Sequence, residues 1–210
     1  MHVAIPLYPR FTALDAVGPY TVLAMAPGCT VTFVAAEPGP VTDDQGALTL
    51  TATASYADVP APDVIVVPGG PGTMAALSDE ALLGWIRQAH EHTRWTTSVC
   101  TGSLILGAAG LLTGVKATTH WGLMDLLKTF GAEPVSERVV TEGKIVTAAG
   151  VSAGIDMALT LLSQADGAET AQMVQLAIEY DPQPPFACGS PKTAPEGMPE
   201  RVLALMSETI

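Results

Sequence analysis

Residues 96–112 read "TTSVCTGSLILGAAGLL", and the interpretation of this stretch decides the fold. "TTSV" is a short β-favouring run, and the apolar run from Gly102 to Leu112 has helical character, so Cys100 stands at a strand-to-helix corner. Ser98 and Gly102, two places to either side, give the small-x-nucleophile-x-small spacing of a nucleophile elbow, where a tight turn brings neighbouring backbone close. A helix start beside the sulfur contributes partial positive charge and unpaired N–H groups. The corner therefore predicts a thiolate-favouring site, with a pKa between ~3.5 and ~7.5. The competing interpretation is a buried structural thiol, a common fate of free cysteine.

Outward from this corner, short apolar β-type runs alternate with helical patterns. "HVAIPLY" (2–8), "TVTFVAA" (30–36) and "DVIVVPGG" (63–70) read as strands, the last a continuous apolar run of the kind buried on both faces of a parallel sheet. "ALTLTATAS" (47–55) alternates like a small hairpin or edge strand, and "ERVVTEGKIVTAA" (137–149) reads as two β-segments about a Glu142-Gly143 turn. Helices are expected over Gly18–Ala26, over Asp79–His92 with Ser78 as N-cap, and over "HWGLMDLLKTFG" (120–131), ending at Gly131. Further helices are expected from Ser152 through Leu162, over Ala168–Glu179 and over Pro199–Glu208. The alternation predicts a doubly wound, mainly parallel α/β sheet with helices on both faces. One domain spans 1–210, with 181–210 as a C-terminal arm and helix.

Composition limits the partners. Hydrophobic residues make up 48% of the 210-residue chain and charged residues 14%, enough for a large core. Nine Lys/Arg against 21 Asp/Glu give a net charge of −12, with no basic cluster, which argues against nucleic acid or an anionic membrane surface as partner. No run approaches the ~18 apolar residues of a membrane span, and the first residues lack a signal-peptide pattern. Cys29, Cys100 and Cys188 have no metal-type spacing, and free thiols fit a reducing cytoplasm. No His/Asp/Glu cluster has metal-ligand spacing, and "PGGPG" lacks the Lys-Ser/Thr of a phosphate-binding loop.

Two further segments converge on the rim where α/β sheets bind ligands, at the carboxyl ends of the strands. "VVPGGPG" ends an apolar strand with Gly69 and Gly70. The Gly70 and Thr101 N–H groups are the expected oxyanion-type donor pair, a plain turn being the alternative. In "LDAVGP" (14–19), Asp15 is a lone acid between apolar residues, either a helix N-cap or, if it faces the thiol, a general acid whose pKa burial and a nearby thiolate raise. His120 in "ATTHW" is placed to line the pocket, as a catalytic base or as a packed capping histidine. His90 and His92 read as solvated.

Together "LDAVGP", "VVPGGPGT", "SVCTGSLILGAAGLLTGVKATTHW" and "EYDPQPPF" resemble the ThiJ/PfpI superfamily of glutamine-amidotransferase-like domains, over residues 3–191. "LDAVGP", Cys-Thr-Gly and "EYDPQPPF" look most like its isonitrile (isocyanide) hydratase branch. The resemblance implies a flavodoxin-like homodimer needing no metal or organic cofactor and acting on a small apolar isocyanide. It implies Cys100 as nucleophile, Asp15 as acid/base and Thr101 as the residue beside the nucleophile. It places Gly70 as the oxyanion-side glycine and Gly150, Val151 and Ser152 at a helix start near the thiol. Branches with peptidase or glyoxalase activity carry histidine after the cysteine, where this chain has Thr101. Alternatives within the resemblance are another thiol-dependent hydrolase or glyoxalase-like enzyme, a regulatory domain of the kind found in AraC-type regulators, and a redox sensor acting through Cys100 oxidation.

Overall fold

The computed structural model of the protein describes residues 1–207. In chain order the first elements are β1 (His2–Pro6), α1 (Ala13–Leu23), β2 (Thr30–Ala35), β3 (Gly39–Thr42), β4 (Thr49–Ala52), β5 (Ala54–Ser55) and β6 (Val64–Val67). There follow α2 (Thr73–Ala76), α3 (Glu80–His92), β7 (Trp95–Val99), α4 (Gly102–Ala108), β8 (Lys116–Ala117), α5 (Met124–Thr129) and β9 (Glu133–Pro134). The chain continues with β10 (Val139–Glu142), β11 (Ile145–Ala148), α6 (Ala153–Asp166), α7 (Ala168–Ala177) and α8 (Met198–Ser207).

Seven strands form one sheet in the order β10-β11-β7-β6-β1-β2-β5, parallel throughout except for the β10–β11 hairpin. Every residue of β6, β7 and β11 is buried, which is why these strands are continuous apolar or small-residue runs without alternation. From β1 the chain crosses through α1 to β2 on one side, and from β6 through α3 to β7 on the other. Right-handed crossovers in opposite directions put α1 and α3 on opposite faces. Accordingly α1 packs with α6 and α6 with α7, while α2, α3 and α5 pack around α4. The reversal of direction between β1 and β6 is the switch point of the sheet, where an α/β fold opens a crevice beyond the strand ends. Among the described residues no helix is long and apolar enough to cross a membrane.

Several element boundaries differ from the sequence expectation. Helix α1 starts at Ala13 rather than Gly18, so Gly18 and Pro19 lie inside it. A proline is favoured in the first turn of a helix, and this misplaces the start. Gly18 is instead a packing residue, since a Cβ there would sit 3.2 Å from Ile155 Cγ1 of α6. The N-cap of α3 is Asp79, whose Oδ1 accepts from the Ala81 and Leu82 N–H groups, whereas Ser78 Oγ donates back to Ala75 O.

Helix α4 stops at Ala108 because Gly110, at φ +82°, turns the chain and Leu111 N–H closes on Leu106 O. The expected helix over 120–131 is a 3-10 turn (Trp121–Leu123) followed by α5, and Gly131 does end it, at φ +75°. "ALTLTATAS" supplies both expected forms: β4 pairs antiparallel with β3, and β5 sits on the sheet edge. Helix α7 ends at Ala177, and the expected end of the last helix at Glu208 lies outside the described residues. Residues 181–197 contain no helix or strand and are largely exposed.

Candidate active site

The carboxyl ends of β1, β6, β7 and β11 bring four segments to the switch point. At the end of β7 the backbone turns at Cys100, a non-glycine residue with φ +56°, and its N–H donates to Ala148 O (3.1 Å) and Ala149 O (3.0 Å) at the end of β11. The turn is tight enough that a Cβ at Gly102 would fall 2.9 Å from Pro68 O, and closer still to Val67 O. This is the elbow that the spacing of Ser98, Cys100 and Gly102 predicts.

Asp15 is fully buried in the first turn of α1, not an N-cap: Thr12 holds that place, without a side-chain cap bond. Its Oδ2 accepts from the Gly69 N–H at 2.8 Å, and the carboxyl interacts with the Cys100 thiol. Among the described residues Oδ1 finds no N–H or O–H partner. Gly69 has to be glycine here, because a Cβ would stand 2.5 Å from Thr101 N. Burial pushes the Asp15 carboxyl up to about 7, with the Gly69 N–H and the Cys100 contact opposing and the charge of Asp44 adding to the rise.

The thiol departs from expectation. Burial, and then the charge of Asp15, push the Cys100 thiol well above its usual value, against the Thr101 and Val151 N–H groups and the Thr101 hydroxyl, which favour the thiolate. The expected thiolate-favouring corner is thereby corrected, because the few donors of a two-turn helix start do not offset removal of sulfur from water. The rise of the Asp15 carboxyl likewise owes nothing to a thiolate: its sulfur contact lowers it. Burial raises both groups, and the charge of Asp15 adds to the rise of the thiol, so ionising the carboxyl makes ionising the sulfur harder.

The donors around the sulfur also differ from the expected pair. The Gly70 N–H is committed to Thr101 Oγ1 at 2.9 Å, so the backbone donors at Cys100 are those of Thr101 and Val151. Val151 adopts φ +38°, a strained conformation for a β-branched residue. Gly150 lets the His120 ring lie against the backbone, since a Cβ would be 2.8 Å from His120 Cδ2. His120 Nδ1 accepts from the Gly122 N–H (3.2 Å) and caps the 3-10 turn, leaving the proton of the neutral ring on Nε2. Burial lowers its pKa and keeps the ring neutral. His120 is thus a packed, capping histidine that also borders the cavity. Ser152 stands before α6, but its Oγ accepts from Arg138 Nη2 (3.3 Å) and does not line the cavity. His90 is not simply solvated either: its Nδ1 lies 2.8 Å from Thr96 Oγ1.

Gly70, Cys100, Thr101, His120 and Val151 border a cavity of about 200 Å³, whose wall also includes Thr12, Thr73, Met74, Leu123 and Met206 and the polar Arg10, Asp44 and Gln45. Sequence reasoning missed Thr73 and the apolar lining residues Met74, Leu123 and Met206. Thr73 closes the quoted "VVPGGPGT", so its nearness to Gly70 was the available signal. Met206 lies more than a hundred residues beyond the elbow and carries no local signal. Among the described residues no cluster of three or more His, Cys, Asp or Glu side chains is placed to hold a metal ion.

A sequence model of the DJ-1/PfpI family matches residues 1–164. The chain is 50% identical over 198 residues to the isonitrile hydratase of Pseudomonas putida, covering 94% of this chain and 86% of that protein. A ThiJ/PfpI family protein from Pseudomonas syringae has a closely similar structure, with a TM-score of 0.95 and 41% identity over 99% of this chain and 86% of its own. The HTH-type transcriptional regulator CdhR of Pseudomonas aeruginosa is 29% identical over 67% of this chain, a match that spans 42% of the regulator.

Proposed function

The chain belongs to the DJ-1/PfpI family, and from that membership and its site we propose that it hydrates isonitriles to N-substituted formamides. The observation that carries this reading is Cys100 in the wall of a partly apolar cavity that suits a small neutral substrate, with the Asp15 carboxyl buried against it, in a chain half identical to a named isonitrile hydratase.

In this mechanism Asp15 carries a proton in both steps, first from the thiol and then from water. With Asp15 ionised and Cys100 a thiol, the carboxylate takes the thiol proton as sulfur attacks the terminal isonitrile carbon. Asp15 then passes that proton to the same carbon, giving a thioimidate, R–N=CH–S–Cys100. Asp15, again a carboxylate, draws a proton from water as the water oxygen adds to the thioimidate carbon. Asp15 gives the water proton to nitrogen, the C–S bond breaks, and the remaining hydroxyl proton passes to sulfur as R–NH–CHO leaves, so Cys100 returns to the thiol and Asp15 to the carboxylate. Substrate and water sum to product with nothing left over. The Thr101 and Val151 N–H groups stabilise sulfur while it is anionic.

The test is formation of N-cyclohexylformamide from cyclohexyl isonitrile, run beside methylglyoxal as the substrate of a glyoxalase-type reaction. Formamide production without loss of methylglyoxal is expected; the reverse result would refute the hydratase reading. Met74, Leu123 and Met206 form the apolar wall and are assigned to the substrate's alkyl group. Met74→Trp is expected to raise KM for cyclohexyl isonitrile by ~10-fold or more while leaving that for methyl isonitrile within ~3-fold. The family resemblance also implies a homodimer, which light scattering in solution measures directly.

A further inference from the structure

The turn between β3 and β4 is tied to the segment that leads into α1. Arg10 N–H donates to Thr42 O (3.1 Å), Phe11 and Asp43 form a β-bridge, and Asp44 N–H donates to Phe11 O (2.9 Å). The two acids of the turn are used differently. Asp43 is buried and its Oδ1 accepts from the Leu48 N–H (3.1 Å), so its carboxyl shapes the turn itself. Asp44 is half-buried and stands in the wall of the cavity that holds Cys100. Thr12, the N-cap residue of α1, makes no side-chain cap bond, and its Oγ1 donates instead to Asp44 Oδ2 at 2.8 Å.

A carboxylate held through its own backbone N–H and by a neighbouring hydroxyl stays at the wall rather than swinging out into bulk solvent. Its charge reaches into the site, where it adds to the rise of the Asp15 carboxyl. Arg10 brings a cation to the same wall, but Arg10 is exposed, and water screens an exposed charge more strongly than a half-buried one. His120 is kept neutral by burial, and ionisation of Cys100 or Asp15 adds only negative charge.

We infer that Asp44 is a charge filter, holding anions out of the catalytic cavity and admitting neutral or cationic molecules of the same size. Asp44 is a specificity-determining residue, with no part in the proton transfers. Its consequence for substrate class rests on the hydratase reading: the substrates are neutral isonitriles, and an isonitrile bearing a carboxylate is a poor one.

The experiment alkylates the full chain with iodoacetamide, which is neutral, and with iodoacetate, an anion of nearly the same size. Both react by the same step, in which sulfur displaces iodide from a CH2 carbon. Rates are read by mass spectrometry on the Cys100 peptide and on the peptide of Cys188, which is exposed and reports the intrinsic preference in the same sample. A change in thiol ionisation affects both reagents alike, so the ratio of their rates isolates charge selection. Wild type is expected to prefer iodoacetamide at Cys100 by about tenfold more than at Cys188, and Asp44→Asn to cut that excess at least about threefold. The amide oxygen of the variant still accepts from Thr12. Asp44→Glu, which keeps the charge, should stay within about twofold of wild type. Equal preferences at the two cysteines of wild type, or an excess that Asp44→Asn leaves unchanged, would overturn the filter. Turnover of isocyanoacetate beside its methyl ester then tests the substrate class: wild type should favour the ester, and Asp44→Asn should narrow the gap. Equal turnover of the two by wild type would overturn that class. A filter seen at Cys100 with neither isonitrile hydrated would remove the hydratase reading and leave the filter standing.

Discussion

Cys100→Ala is expected to lower isonitrile hydration by about 10,000-fold or more, since it removes the atom that forms the covalent bond. Folding should survive the change. The elbow is fixed by backbone contacts, with Cys100 N–H on Ala148 O and Ala149 O and Gly102 packed against Val67 and Pro68 carbonyl oxygens, and none of these involves sulfur. Far-UV circular dichroism should therefore match wild type while formamide production disappears. Cys100→Ser is expected to be nearly as inactive, because a hydroxyl in the same buried place, beside the same carboxyl, is harder still to ionise.

Asp15→Asn is expected to slow hydration by about 100-fold to 10,000-fold, because it removes the carboxyl placed to carry a proton from sulfur to carbon. Stability should move the other way. The Asp15 carboxyl is raised to about 7 in the folded protein from its ordinary 3.8. Its folded form therefore binds more protons than its unfolded form between these values, so its contribution falls as pH rises from about 4 through 7. Above the folded value the full penalty of a buried carboxylate applies, on the order of 4 kcal/mol at most. The amide carries no charge and its carbonyl oxygen still accepts from the Gly69 N–H. Thermal unfolding at pH 8 should show Asp15→Asn with a higher Tm than wild type, and the gap should close towards pH 4. A Tm difference that does not vary with pH would show that Asp15 is not held neutral by its surroundings.

Much of this arrangement was legible in the sequence because backbone sterics leave marks on residue type. Small residues flanking Cys100, the paired Gly69-Gly70 at a strand end, and the continuous apolar run at β6 each correspond to a place where backbone or sheet packs closely. Asp15 was visible as a lone acid in an apolar context, but its helix was misplaced because Gly18-Pro19 resembles a helix start. Other features depend on distances between segments remote in sequence. Whether the Gly70 N–H faces the cavity or Thr101 is decided by where β6 and β7 end relative to one another. The ionisation of Cys100 is decided by how much water α1 and α6 exclude, and no local pattern encodes that. Thr73 and Met206 joined the site only once the elements around the cavity had been placed.

The central claim is that Cys100 forms a thioimidate with the proton carried by Asp15. It is tested most directly by quenching wild type in acid during turnover of cyclohexyl isonitrile and weighing the Cys100 peptide. Wild type should show a gain equal to one whole substrate molecule on that peptide, rising and decaying with formamide formation, and Asp15→Asn should show little. Full-rate formamide production with an unmodified Cys100 peptide at every quench time, and an undiminished rate in Cys100→Ala, would contradict it.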